Sequence, residues 1–213
     1  MDLETLASQL KKPVGELGKQ VGQMMNKGNE LINLHTIAEL QLQPNDTVLE
    51  IGMGNGYFVK DVLNIHHTIR YVGFDYSELM VEEAKQLNQD FINNSRAQFH
   101  LGTANSLPYP DAFFSKIFTI NTIYFWGDAT KELAEIKRVL KPDGLFVIAI
   151  RSKETMQQMP FTEYGFVKYG RDDLEGVLQN NGFSVIRSIH HQEPPYIFND
   201  TTISMKNIIT ICR

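Results

Sequence analysis

Thr47-Val48-Leu49-Glu50-Ile51-Gly52-Met53-Gly54-Asn55-Gly56 is the stretch that decides the fold. A short run of strand-forming residues passes directly into three glycines at alternate positions, and a helix-compatible segment, residues 57–63, follows. An apolar, β-branched run that stops at a glycine cluster reads as a buried strand. Glycine at the hand-over from strand to helix lets backbone approach a ligand closely and reach dihedrals closed to other residues. Ligands of open α/β sheets bind at the carboxyl ends of the strands near the topological switch point, so a nucleotide-like ligand is expected at this turn.

Working outward, residues 70–74 read as a second strand, 77–90 as a helix capped by Ser77, 97–101 as a third strand and 116–120 as a fourth. A helix over 129–140 ends before Pro142, and 145–150 is a fifth strand. Strands alternating with helices at this spacing imply βαβ units, hence an α/β fold with a mostly parallel sheet covered on both faces. A polar stretch, 151–170, interrupts the rhythm before a helix at 171–180, a turn at Asn181-Gly182 and a strand at 183–189. The last strand is expected at 202–211, and two strands joined only by the loop 189–201 pair most simply as an antiparallel hairpin at the sheet edge. Upstream, Pro44-Asn45-Asp46 punctuates the chain, and apolar residues including Met24, Met25, Leu31, Ile32 and Ile37 fit a loose helical stripe over 16–40. Residues 1–43 therefore read as a helical extension, a lid or cap, and 44–213 as one domain.

The composition, 42% apolar and 21% charged, is that of a soluble globular chain. The net charge is −5, with basic residues paired at most, as at Lys11-Lys12 and Lys137-Arg138; that weighs against a nucleic-acid partner. A single cysteine, Cys212, excludes an intrachain disulfide, the start Met1-Asp2-Leu3-Glu4 lacks a signal-peptide profile, and no apolar run approaches the ~20 residues of a membrane span. A cytoplasmic location without membrane association is expected.

The ligand at the glycine turn can be narrowed. The dinucleotide fingerprint G-x-G-x-x-G needs glycine or alanine where Tyr57 stands, and no G-K-[ST] follows the glycines. A nicotinamide-dependent oxidoreductase is thereby disfavoured. Glu50, inside the first strand, would be unwelcome beside a pyrophosphate but suits a ligand that brings positive charge. Asp75, nineteen residues past Gly56, ends the second strand, where a carboxylate either accepts both hydroxyls of a ribose or simply caps the next helix.

With these residues in place the sequence resembles the class I S-adenosylmethionine-dependent methyltransferases. The likeness runs from Val48-Leu49-Glu50-Ile51-Gly52-Met53-Gly54-Asn55-Gly56 through Gly73-Phe74-Asp75-Tyr76-Ser77, with Met80 one turn later. It continues through Gly102-Thr103-Ala104 and Leu107-Pro108-Tyr109 to Leu140-Lys141-Pro142-Asp143-Gly144-Leu145, in family order over about residues 45–150. The resemblance implies a Rossmann-like three-layer sandwich whose seven-stranded sheet has an antiparallel last strand, with S-adenosylmethionine as cofactor. It places Gly52, Gly54, Asn55 and Gly56 along the methionine and ribose part, Glu50 behind the glycine turn, and Asp75 on the ribose hydroxyls. It also puts Tyr76 and Met80 against adenine, Ala104 at the adenine edge and Asn121 toward the methionine amino group. Thr103 departs from the aspartate usual in this family; its hydroxyl can accept a hydrogen bond, with weaker adenine contact expected, or it is a plain turn residue.

The resemblance implies methyl transfer to a small-molecule acceptor; a cofactor-binding module without turnover is the alternative. Transfer from a sulfonium requires alignment and exclusion of water more than covalent help, so no base is obligatory. His35 reaches the mouth of the site if its helix is a lid, and is otherwise an ordinary helix histidine. His66-His67 falls at the far end of the sheet, and His190-His191 lacks a third ligand for a metal. Tyr124-Phe125-Trp126 leaves the sheet at its functional edge, as pocket wall or as core, and Met24 and Met25 line the same pocket or pack ordinarily. Glu193-Pro194-Pro195-Tyr196 imitates the [DN]-P-P-[YF] motif of base-amine methyltransferases, but in the wrong place, where its prolines stiffen a loop.

Overall fold

In the computed structural model, which describes residues 1–198 and 201–213, three helices precede the first strand: α1 (Leu3–Lys11), α2 (Gly15–Gly28) and α3 (Glu30–Glu39). The sequence reading misses α1, whose N-cap Asp2 accepts the Thr5 N–H at 2.7 Å. The single helix expected over 16–40 is two, because Gly28 is a poor helix former and Asn29 leaves helical geometry at φ −110°, ψ 11°.

The chain continues as β1 (Thr47–Ile51), α4 (Val59–Leu63), β2 (Arg70–Asp75), α5 (Glu78–Leu87), α6 (Gln89–Asn93), β3 (Ala97–Leu101) and β4 (Phe114–Ile120). After a 3-10 turn at Ile123–Phe125 come α7 (Thr130–Val139), β5 (Leu140–Arg151) and α8 (Lys153–Met156). A second 3-10 turn at Pro160–Glu163 leads to α9 (Arg171–Asn180), β6 (Val185–Gln192), β7 (Tyr196–Phe198), β8 (Thr201–Ile203) and β9 (Lys206–Cys212). The helix expected at 77–90 ends at Leu87. Ser77 is its N-cap, as expected, with Met80 N–H donating to the hydroxyl at 3.3 Å. β5 begins at Leu140, five residues before the expected start. Leu140 pairs with Phe114 across a register shift, and Pro142 and Asp143 are exposed where no ladder bond is asked of the proline.

Seven strands form one sheet in the order β3-β2-β1-β4-β5-β9-β6, parallel except for β9, which is antiparallel to both neighbours. The expected antiparallel edge pair is therefore β6 and β9. Between them lies a second two-stranded sheet, β7 in the loop expected at 189–201 and β8 on the start of the strand expected at 202–211, which is thus two strands, β8 and β9; Asn199 and Asp200 lie outside the described residues. Alternate residues of the central strands enter opposite cores, as the two-residue period dictates. Leu49, Phe146 and Ile148 pack with α7 and α9 on one face, and Val48, Phe118 and Val147 with α3, α4 and α5 on the other.

α3 is thus structural: Ile32, Ile37 and Leu40 are buried in the same cluster as Val48 and Val147. α3 joins the layer that covers one face of the sheet. Ser77 Oγ donates to Pro13 O at 2.6 Å and Tyr76 OH donates to Lys11 O, which fasten the α1–α2 junction to the corner after β2. Gly18 faces α5 so closely that a Cβ would stand 2.9 Å from Leu79 Cδ2. Among the described residues, no helix is long and apolar enough to cross a membrane.

One buried ion pair ties the late segments together. Arg151, at the end of β5, bonds the Glu193 carboxylate, and both side chains are only 6% exposed. The guanidinium also donates to Asn207 Oδ1 at 2.6 Å and to Gly28 O at 2.7 Å, while Asn207 Nδ2 donates to the other Glu193 oxygen. Glu193 of the proline-containing motif is therefore spent on a structural network. Removing one member of such a pair strands a buried charge, at a cost of about 3–5 kcal/mol, whereas replacing both by apolar residues is often nearly neutral. Urea denaturation is expected to show Glu193→Ala losing about 3 kcal/mol, and the double variant Arg151→Met/Glu193→Met losing much less. Equal losses would mean that charge pairing is not what holds this corner.

Candidate functional site

The glycine turn works through geometry that a side chain would forbid. Gly52 N–H donates to Phe74 O at 2.8 Å, and a Cβ on Gly52 would stand 2.1 Å from Thr122 Cγ2. Gly54, at φ +57°, has open space where its Cβ would be, and its N–H donates to Asp75 Oδ2 at 3.0 Å. The other oxygen of Asp75 accepts the Ser77 N–H at 2.9 Å. Asp75 is 8% exposed; its burial raises the carboxyl pKa, and the bonds from Ser77 and Gly54 partly oppose that rise.

A cavity of about 250 Å³ lies over this turn. Of the residues expected at the site, Glu50, Gly52, Gly54, Asn55, Asp75, Tyr76, Met80, Thr103, Ala104 and Asn121 line it. Gly56 does not line it. At φ +69° it packs against α5, where a Cβ would meet Asn88 Nδ2 at 2.8 Å and Ala84 Cβ at 2.9 Å. Thr103 Oγ1 donates to Asn105 Oδ1 at 2.7 Å. Asn121, at φ +58°, accepts on Oδ1 from Tyr124 OH at 2.9 Å and from Arg151 N–H at 3.1 Å. Both lone pairs of that oxygen are thus engaged, and Asn121 stands in the cavity wall.

Sequence reasoning misses the contribution of the first helices. Asn26, Asn29 and Asn33 line the cavity from α2, the α2–α3 junction and α3. A polar stripe at helical spacing in an otherwise apolar segment is the signal that was there to be read. Glu132, on α7, also lines it, with its Oε2 buried and unpartnered. His35 does not reach the site. It stacks on His191 of β6 with ring centroids 4.2 Å apart, and neither residue lines a cavity described here.

A second cavity, about 840 Å³, adjoins the first and shares Leu10, Met25, Asn29, Asn121 and Phe125 with it. Both expectations for the aromatic triplet hold in part. Tyr124 is 2% exposed yet lines the second cavity, Phe125 lines both and Trp126 the first. Met24 and Met25 line the second cavity as well.

A seven-stranded sheet of this order, with a glycine turn and a strand-end aspartate closing on one cleft, defines a class I S-adenosylmethionine-dependent methyltransferase fold. Residues 49–148, just under half of the chain, match the family model described as a methyltransferase domain. Over 133 residues it is 29% identical to the uncharacterized methyltransferase YdaC of Bacillus subtilis (strain 168), covering 62% of this chain and 71% of that one. A Haloferax volcanii complex of the Trm112 methyltransferase activator with a methyltransferase shares the fold at TM-score 0.79 and 18% identity, over 99% of this chain and 96% of that one. An S-adenosylmethionine-dependent methyltransferase from Aquifex aeolicus does so at TM-score 0.71 and 20% identity, over 100% and 98%.

Glu50 gives this site a pH dependence. It is 5% exposed and accepts the Tyr71 hydroxyl at 2.5 Å. Burial drives its pKa to about 7 from an ordinary value of 4.5; the Tyr71 bond opposes the shift and the Asp75 charge adds to it. The folded protein keeps this proton up to about pH 7 while an unfolded glutamate has lost it, so this group's contribution to stability falls as pH rises between those values. A cationic ligand favours the ionised form, so affinity runs the opposite way. Calorimetry is expected to show S-adenosylmethionine binding roughly fivefold to tenfold tighter at pH 8 than at pH 6, and Glu50→Gln flattening that slope. A slope unchanged in the variant would remove Glu50 from the ligand's field.

Proposed function

We propose that this chain transfers a methyl group from S-adenosylmethionine to a small-molecule acceptor held in the second cavity. The observation that carries the reading is the shared wall: Asn29, Asn121 and Phe125 belong to both cavities, so ligands in the two would meet there.

The residues present fit the cofactor. Open space at Gly54 and its positive φ leave a cradle into which a side chain would project. Each Asp75 oxygen accepts one backbone N–H, and a carboxylate oxygen has capacity for more than one donor, which leaves both able to take ribose hydroxyls. Buried Met80 and Ala104, with Phe74 between them on the cavity wall, offer an apolar slot to a purine. Thr103 spends its hydroxyl hydrogen on Asn105, which leaves the oxygen able to accept a hydrogen bond from the ligand.

When bound, S-adenosylmethionine supplies a methyl group whose carbon–sulfur bond breaks with the electron pair left on sulfur, as a lone pair of the acceptor forms the new bond. The protein's part is alignment in a place from which water is shut out. α1 and α2 provide that cover through Lys11, Pro13 and Met25. Burial pushes the Tyr124 phenol well above its ordinary pKa, so it stays protonated and serves as a hydrogen-bonding post for Asn121, not as a base. No general base is assigned, in keeping with a leaving group that is already activated.

Calorimetric titration with S-adenosylhomocysteine, which binds such sites without reacting, is expected to give one-to-one binding. Asp75→Ala should weaken it about tenfold to a hundredfold, the scale of hydrogen bonds to a charged group. Unchanged affinity in the variant would overturn the assignment of Asp75. No binding to the wild-type chain at millimolar ligand would overturn the reading as a whole.

A further inference from the structure

The second cavity carries information about what it holds. Five of the chain's eight methionines line it: Met24, Met25, Met156, Met159 and Met205. They come from α2, α8, the turn after α8 and the segment before β9, so their convergence is not the stripe of one helix. Phe125, Phe161, Phe166 and Phe198 add four rings. Thioethers and rings around open space make a surface that is polarizable and adaptable, and that gains little from a hydrated ligand.

The charged groups of this cavity point the same way. Among the described residues that line it, Arg151 and Glu193 neutralise each other and are bonded further to Asn207 and Gly28. Lys27 and Glu30 are of opposite sign and lie exposed at the rim. An ionic ligand carried past that rim into the interior would shed its hydration and meet only the Arg151–Glu193 pair, already neutralised, which is costly for a polar group and more so for a full charge. At the neck toward the first cavity, Asn121 Nδ2 faces Asn29 Oδ1 at 3.3 Å, the one polar station next to the shared wall that the pairing above leaves loosely made.

We infer that the acceptor is an uncharged, predominantly apolar molecule whose body occupies the methionine- and phenylalanine-lined cavity and whose single polar, nucleophilic group sits at the Asn29–Asn121 neck. The inference rests on the methyltransferase reading and narrows it. A cavity of about 840 Å³ lies in the range that encloses drug-sized ligands, so the apolar body can be large.

The test uses the full chain saturated with S-adenosylhomocysteine and two probes matched in length, 4-heptylphenol and 4-heptylbenzoate, titrated by calorimetry at pH 7.5. The phenol is expected to bind one-to-one, and the carboxylate about tenfold more weakly or worse. Phe161→Asp should abolish phenol binding while affinity for S-adenosylhomocysteine stays within about twofold, or about 0.4 kcal/mol. Met24→Glu, at a position 43% exposed and so tolerant of charge, should weaken the phenol in the same direction if the first variant fails to fold. Binding of the carboxylate as tightly as the phenol, or of neither probe to the saturated protein, overturns the inference and leaves the methyltransferase reading standing. Failure of S-adenosylhomocysteine itself to bind overturns that reading instead.

Discussion

The two bonds that Asp75 accepts are the constraint on which the site depends. One comes from Gly54 in the turn after β1 and the other from Ser77 at the start of α5, so a single carboxylate fixes two adjacent strand ends relative to each other. Ser77 then hands the constraint on, because its hydroxyl donates to Pro13 O while capping α5. The cover over the cleft is in this way tied to the residue at its floor. A carboxylate that is 8% exposed is costly to ionise, and these two N–H groups offset part of that cost before any ligand arrives.

Glu50 lies one strand away and in a poorer environment, with a single phenol hydroxyl for company. The Asp75 charge adds to the cost that burial puts on ionising Glu50, which has fewer donors to offset it. A positive ligand in the first cavity favours the ionised form of Glu50. This arrangement selects for charge in the first cavity, whereas the self-neutralised Arg151–Glu193 pair selects against it in the second. Two adjoining cavities with opposite electrostatic demands suit a reaction between a cation and a neutral, apolar partner.

Legibility in the sequence followed the range of the interactions. The glycine turn, the aspartate at the end of β2 and the cap at Ser77 are local, and each appears where residue type and spacing put it. α9 falls on residues 171–180 as read, because its pattern is bounded by glycines and a turn. The break at Asn29 escaped because one glycine in an apolar stripe is a weak signal until a tertiary bond, here Arg151 to Gly28 O, makes use of it. β7 and β8 are three residues each and are stabilised by a side cluster of Met159, Ile203 and Met205, which no local period announces. The second cavity was legible only in part: Met24, Met25 and the aromatic triplet stood out as candidate pocket wall, whereas the residues from α1, α8 and the β6–β9 excursion join them only in space.

The third glycine shows how one position changes a binding turn. In the dinucleotide pattern the last glycine stands one residue later and allows close packing of helix on strand. Here Gly56 comes a residue early, and its close partner is α5: Asn88 Nδ2 donates to Gly56 O at 3.0 Å, beside Ala84. Tyr57 is consequently free to turn outward, 38% exposed with Lys60 Nζ 4.5 Å from its ring centroid. Two residues earlier in the same turn, Gly54 lies within hydrogen-bond reach of Asp75 at the end of β2. The spacing that argued against a pyrophosphate ligand in the sequence is the same spacing that builds the Gly54–Asp75 contact at the floor of the cleft.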